Sequence, residues 1–162
     1  MRRIRSSIDL LSAERIYRAM IMPVFTYCGT TGLGWSDTRK RLIGNIERRS
    51  LTIIAPNSSN HSADLRIPSV DSILKRNACS FVFNCLHGNV CNPFKNYFVK
   101  TNHALNTRNN QSSVQLPRMK LEIGRQSFYF LAALCFNSLP LDIGKQNSRI
   151  LFREQLNEHF MF

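Results

Sequence analysis

Ser69-Val70-Asp71-Ser72-Ile73-Leu74-Lys75-Arg76-Asn77-Ala78-Cys79-Ser80-Phe81-Val82-Phe83-Asn84-Cys85-Leu86-His87-Gly88 is the stretch that decides the fold class. Val70, Ile73, Leu74, Phe81, Val82, Cys85 and Leu86 recur at three and four residues, the spacing that lines up side chains on one face of an α-helix. Ser69 is a residue type that caps a first turn, and Asp71 suits the positive end of the helix dipole. Gly88 stands where a left-handed C-terminal cap belongs. The stretch reads as a helix that sinks one apolar stripe into a core.

On its N-terminal side, a second helix starts after Ser36 and is stopped by Pro56 and the polar run 57–60. Its expected apolar side is Leu42, Ile43, Ile46, Ser50, Ile53 and Ile54, while Arg39, Lys40, Arg41, Arg48 and Arg49 crowd much of the rest. Gly44 weakens it by about 1 kcal/mol relative to alanine. Further upstream, Ile16, Tyr17, Met20, Ile21, Val24, Phe25 and Cys28 fall near helical spacing behind a Ser12 N-cap. Pro23 predicts a kink or a junction of two helices, and Gly29, Gly32 and Gly34 read as a loop ending at Trp35.

On its C-terminal side, the periodicity fades over 89–124. Residues 102–113 are rich in asparagine, threonine and serine and read as a flexible loop, and 114–116 as a short strand stopped by Pro117. A helix is expected over about 126–137, halted by Pro140, and a last one from Ser148 with Phe152, Leu156 and Phe160 on one side. The expected fold is therefore mainly α, a small helical bundle with a loop-rich middle and at most a short β hairpin. Residues 1–56 form a basic helical segment, and 57–162 a C-terminal helical region with a flexible loop near 100–115.

Composition bounds the partners. The chain has 162 residues, 43% hydrophobic and 20% charged, enough apolar content for a packed core. Its 22 lysines and arginines outnumber 10 acids for a net charge of +12, which points to phosphate-bearing or acidic partners. Residues 1–50 hold ten basic and four acidic groups, so the first half is the stronger electrostatic face. Five cysteines, an odd number without a secretory signal, suit a reducing compartment, nuclear or cytoplasmic. No apolar run approaches the roughly 20 residues of a membrane span, so no membrane partner is expected. The arginine- and serine-rich start faintly resembles a mitochondrial presequence, but Asp9 and Glu14 follow at once and it reads as the start of a helix.

No catalytic constellation is visible. Two-metal nucleotidyl transfer needs clustered carboxylates, whereas the five aspartates (Asp9, Asp37, Asp64, Asp71, Asp142) are scattered singly. Gly29-Thr30-Thr31-Gly32-Leu33-Gly34 lacks the Gly-Lys-Ser/Thr ending of a phosphate-cradling loop. Cys79, Cys85, His87 and Cys91 are zinc-ligand types, yet five residues separate successive cysteines where structural sites use close pairs, so core packing is the expectation. His61, His103 and His159 stand alone. No metal or cofactor is expected. The cations of the second helix fit a phosphate-following surface, and on charge alone a merely solvated face accounts for them equally well. Tyr97, Phe98 and Tyr129 read as core before they read as base-stacking platforms.

Taken in order, several stretches resemble the C-terminal region of LINE-type (non-LTR) retrotransposon reverse transcriptases. Glu14-Arg15-Ile16-Tyr17-Arg18-Ala19-Met20-Ile21-Met22-Pro23, leading to Tyr27-Cys28 and Trp35, resembles the family's segment just after the polymerase palm. Ile67-Pro68-Ser69-Val70-Asp71-Ser72-Ile73-Leu74-Lys75-Arg76 through Leu86-His87-Gly88 resembles its following basic amphipathic helix. Asn106-Thr107-Arg108, Leu116-Pro117-Arg118 and Gly124-Arg125-Gln126-Ser127-Phe128 keep the family's order. The most specific piece is Phe136-Asn137-Ser138-Leu139-Pro140-Leu141-Asp142-Ile143. Phe136 departs from the family's usual tryptophan, and the Gly29–Gly34 loop is longer than usual.

The resemblance spans nearly the whole chain and implies a thumb-like segment over 1–56. The family's paired polymerase aspartates and its endonuclease would lie upstream of Met1, so the resemblance implies a truncated, non-catalytic copy whose intramolecular partner is the missing palm. In an intact parent this region is expected to grip template RNA and target DNA. Arg39, Lys40, Arg41, Arg48, Arg49, Lys75 and Arg76 are the expected phosphate contacts, with Arg108, Arg118 and Arg125 added by the motif match. Two rival readings are a basic helical protein-interaction module and a decayed reading frame without function.

Overall fold

Caps and periodicity set the helices of the computed structural model, which describes residues 7–27, 29–56, 65, 67–101 and 113–161. α1 (Leu10–Ile16) starts earlier than expected because the Asp9 carboxylate, not Ser12, is its cap and accepts from the Ser12 amide at 3.1 Å. α1 runs through a π-helical turn (Tyr17–Ile21) into α2 (Met22–Thr26), with Pro23 in the first turn of α2. The widened turn makes room for a ring that would otherwise strike the carbonyl one turn back, so the helix is deformed there and not broken.

The glycine segment is a 3₁₀ helix (Gly29–Gly34), not the open loop its composition predicts. Its glycines serve close approach. A Cβ on Gly34 would collide with the Gln126 carbonyl oxygen, and one on Gly32 would lie 3.0 Å from Leu74 Cδ1.

α3 (Asp37–Ile54) begins after Ser36 as expected, but its inward face is rotated from the predicted one. Leu51 and Ile54 are buried and Ile43 packs partly against the core, whereas Leu42 is 56% and Ile46 44% exposed. Glu47 occupies the inward face between them. Its carboxylate accepts from the Val70 amide at 3.0 Å, so a polar tie holds α3 to the next helix where the sequence predicts apolar contact.

α4 (Val70–Leu86) is that next helix. The Ser69 hydroxyl accepts from the Ser72 amide at 3.1 Å, and Gly88 adopts φ +70° just past the end. Val70, Ile73, Leu74, Ala78, Cys79, Val82, Phe83 and Cys85 are buried. The stripe is wider than predicted because neighbours cover α4 on several sides: the 3₁₀ helix, α6 (Phe128–Asn137) and α8 (Arg149–Met161). Two short α-helices escape the sequence reading, α5 (Glu122–Arg125) and α7 (Leu141–Gly144), the latter starting right after Pro140, as does a single 3₁₀ turn (Asn92–Phe94). α6 starts at Phe128 under a Ser127 cap, slightly later than expected.

Among the described residues there is no strand. The predicted strand at 114–116 is an isolated antiparallel bridge between Lys100 and Val114. The Asn137 side chain occupies both backbone groups of Val114, accepting from its N–H at 2.7 Å and donating to its carbonyl at 2.9 Å, which leaves no free edge there for another strand. The flexible loop expected near 100–115 lies mostly outside the described residues. α4, α6 and α8 share the main core, and a smaller one gathers Ala13, Tyr17, Leu51, Ile54, Leu65 and Ile67. The fold is mainly α.

Candidate nucleic-acid interface

Arg39, Lys40, Arg41, Arg48 and Arg49 are all exposed, and all lie on α3. Arg41, Arg48 and Arg49, spaced by seven and eight residues, share the side of α3 away from Ile43, Glu47, Leu51 and Ile54. Arg39 sits on a flank. Lys40 lies at the seam toward Trp35. Arg48 donates to Asn45 Oδ1 at 3.3 Å, and among the described residues none of the five pairs with a carboxylate. Glu47, an acid in their midst, is turned inward, and burial raises its pKa above the ordinary 4.5. The outward face of α3 therefore carries positive charge that its own helix does not neutralise.

Lys75, Arg76 and Arg125 do not join this face as free cations. Lys75 Nζ lies 2.6 Å from Asp71, a hydrogen bond that raises its pKa. Arg125 Nη1 is 3.9 Å from Glu122. With Lys40, Arg125 lines a groove beside Trp35 that also holds Asp37 and Glu122, so the charges there balance. Arg118 is exposed on the irregular segment after Pro117. Arg76 is half-buried and faces α8. Arg108 lies outside the described residues.

The cysteine cluster of the zinc hypothesis divides between core and surface. Cys79 and Cys85 belong to the main core, and burial raises both thiols, Cys85 to about 11. Neither is a thiolate near neutral pH. Cys91 is exposed, and His87 stacks on Phe83 with its Nδ1 2.9 Å from the Phe83 carbonyl. Phe98 is buried and Tyr129 half-buried, as a core reading expects, whereas Tyr97 is exposed and caps the cluster from outside with its ring against Phe98 and Tyr129.

The stretch from Phe136 to Ile143 has a structural rationale. Phe136, Leu139 and Ile143 are buried, Asn137 clamps Val114, and the Ser138 hydroxyl donates to the Cys135 carbonyl at 2.7 Å. Pro140 precedes the first turn of α7. Sequence reading missed Arg149 and Arg153, whose four-residue spacing on α8 was visible but whose position opposite Arg76 was not. Among the described residues, no group of three or more His, Cys, Asp or Glu is placed to hold a metal ion, and no helix is long and apolar enough to cross a membrane. No protein-family model, curated protein or solved structure matches the chain.

Proposed function

We propose that this chain is a non-catalytic nucleic-acid-binding region, similar to the thumb and C-terminal region of a LINE-type reverse transcriptase, which follows a phosphate backbone with α3. The observation that carries the reading is the set of exposed arginines on α3, Arg39 on its flank and Arg41, Arg48 and Arg49 on its outward side, without a carboxylate partner among the described residues. Such side chains grip phosphates as charge-assisted donors and do not read base sequence. The non-catalytic part is supported by the structural duties of four of the ten acids. Asp9 caps α1, Glu14 pairs with Arg18, Glu47 ties α3 to α4, and Asp71 pairs with Lys75.

The test is the salt dependence of binding to duplex DNA and structured RNA. Neutralising about five phosphates on duplex DNA gives a log–log slope near −4.5. The Arg48→Ala/Arg49→Ala variant should have a slope shallower by about 1.8 and weaker binding to every sequence. A slope near zero, or one the double substitution leaves unchanged, removes α3 from the interface. One observation favours the rival protein-interaction module: Leu42 and Ile46 are exposed beside these cations. That reading takes over if replacing the two by serine abolishes association with a protein partner while nucleic-acid binding shows no salt slope.

A further inference from the structure

A second basic site lies between α4 and α8. Arg76, Ser80 and Asn84 stand four residues apart on α4, and Arg149, Arg153 and Asn157 four apart on α8, so each helix turns a polar row into one shared cleft of about 280 Å³. The helices run antiparallel there. Arg76 Nη1 donates to Asn157 Oδ1 at 3.3 Å, and further along Phe83 stacks on Phe152 with centroids 4.1 Å apart, giving the cleft an apolar wall.

No carboxylate lines the cleft among the described residues. Glu154 and Glu158 on α8 are not part of its wall. Burial first, and the neighbouring Arg153 charge second, lower the pKa of Arg76, as holds for a cation that lacks a counter-ion. The Arg153 charge bears on Arg76, and Arg149 lines the same cleft without an acid; an anion relieves that repulsion while accepting hydrogen bonds from the guanidinium groups.

We propose that this cleft binds a phosphate group, gripped by Arg149 and Arg153 with Arg76 and Ser80 as further donors. A phosphate fits better than a carboxylate. Three forked cations offer more donors than two carboxylate oxygens accept, and a phosphate monoester carries up to two charges. The site shares no residue with the outward face of α3 and stands whether or not α3 follows a nucleic acid. The phosphate comes either from a free or terminal phosphate or from a nucleic-acid backbone.

Calorimetric titration of the full chain with inorganic phosphate, with a nucleoside 5′-monophosphate and with a short oligonucleotide lacking terminal phosphates separates these sources. Saturable binding in the first two arms identifies a free or terminal phosphate, and binding confined to the oligonucleotide identifies a backbone phosphodiester. In whichever arm binds, Arg149→Gln/Arg153→Gln should weaken affinity by at least about tenfold, equivalent to about 1.4 kcal/mol. Arg15→Gln, an exposed cation on α1 outside the cleft, should leave inorganic-phosphate affinity unchanged. Amide resonances of Ser80 and Arg153 in the unmodified protein should shift with the bound ligand, a readout that does not depend on the variant folding. No saturable binding in any arm, affinity retained in the glutamine variant, or shifts confined to α3 overturns the assignment.

Discussion

α3 and α4 are nearly the same length, 18 and 17 residues, and both begin after a serine in extended conformation. Their surroundings differ completely. α4 buries eight side chains and is covered on several sides, while α3 buries Leu51 and Ile54 and presents its cations to solvent. Both sequences carry apolar residues at helical spacing, so amphipathicity alone does not separate them. The separating feature is charge density: five cations on α3 leave no second face that a neighbour can cover without desolvating a charge, a cost of several kcal/mol per ion. The charges of α4, by contrast, are Asp71, Lys75 and Arg76, all within its first two turns, which leaves the rest of its length free for packing.

Truncation gives the sharpest contrast between the two helices. Phe83→Ala on α4, 1% exposed and stacked on Phe152, should cost about 3–5 kcal/mol in denaturant unfolding. Leu42→Ala on α3 should cost within about 0.5 kcal/mol. A similar loss at both positions would mean that the outward face of α3 is covered in solution.

One substitution should change sign between the segments around these helices. Gly34→Ala drives a methyl into the Gln126 carbonyl and should cost about 1–3 kcal/mol. Gly44→Ala, with nothing within 4 Å of its new Cβ, should stabilise α3 by up to about 1 kcal/mol. Thermal unfolding of both variants against the parent reads the two signs.

The helix starts provide a smaller test. Ser69→Ala removes an acceptor for the Ser72 amide and should cost about 1 kcal/mol. Ser36 makes no side-chain cap hydrogen bond, so Ser36→Ala should leave stability nearly unchanged. Equal losses would show that Ser36 caps α3 in solution.

Smallest is a pH effect at the tie between the helices. Burial raises the folded-state pKa of Glu47 above its ordinary 4.5, so the folded state holds that proton more tightly than the unfolded chain. The stabilising contribution is complete below about 4.5 and is lost as pH rises through the raised value. Glu47→Gln retains an acceptor for the Val70 amide and lacks the titration. Its stability relative to the parent should therefore increase as pH rises from 4.5, and a difference that is flat with pH would locate the burial penalty elsewhere.

Legibility followed the range of the interactions involved. Ser69, Asp71 and Gly88 marked the limits of α4 in the sequence because capping is settled within a few residues. The clustering of Arg39, Lys40, Arg41, Arg48 and Arg49 on one helix was legible for the same reason. Glu47 was not, since its partner, the Val70 amide, comes from another helix. The 3₁₀ helix was misread because glycine composition looks the same whether it serves flexibility or close contact, and only Leu74 and Gln126 decide which.

The sequence by itself determined a mainly helical fold, the limits of its long helices and the concentration of positive charge on α3, all properties of spacing along one chain. Only the tertiary structure decided which cations keep their charge unneutralised. It turned Glu47 inward, placed Asp37 and Glu122 in the groove with Lys40 and Arg125, and set Arg76 near Arg153 in the cleft that Arg149 also lines. Coulomb interactions depend on separation in space and on local solvent, and neither quantity exists until the helices have packed.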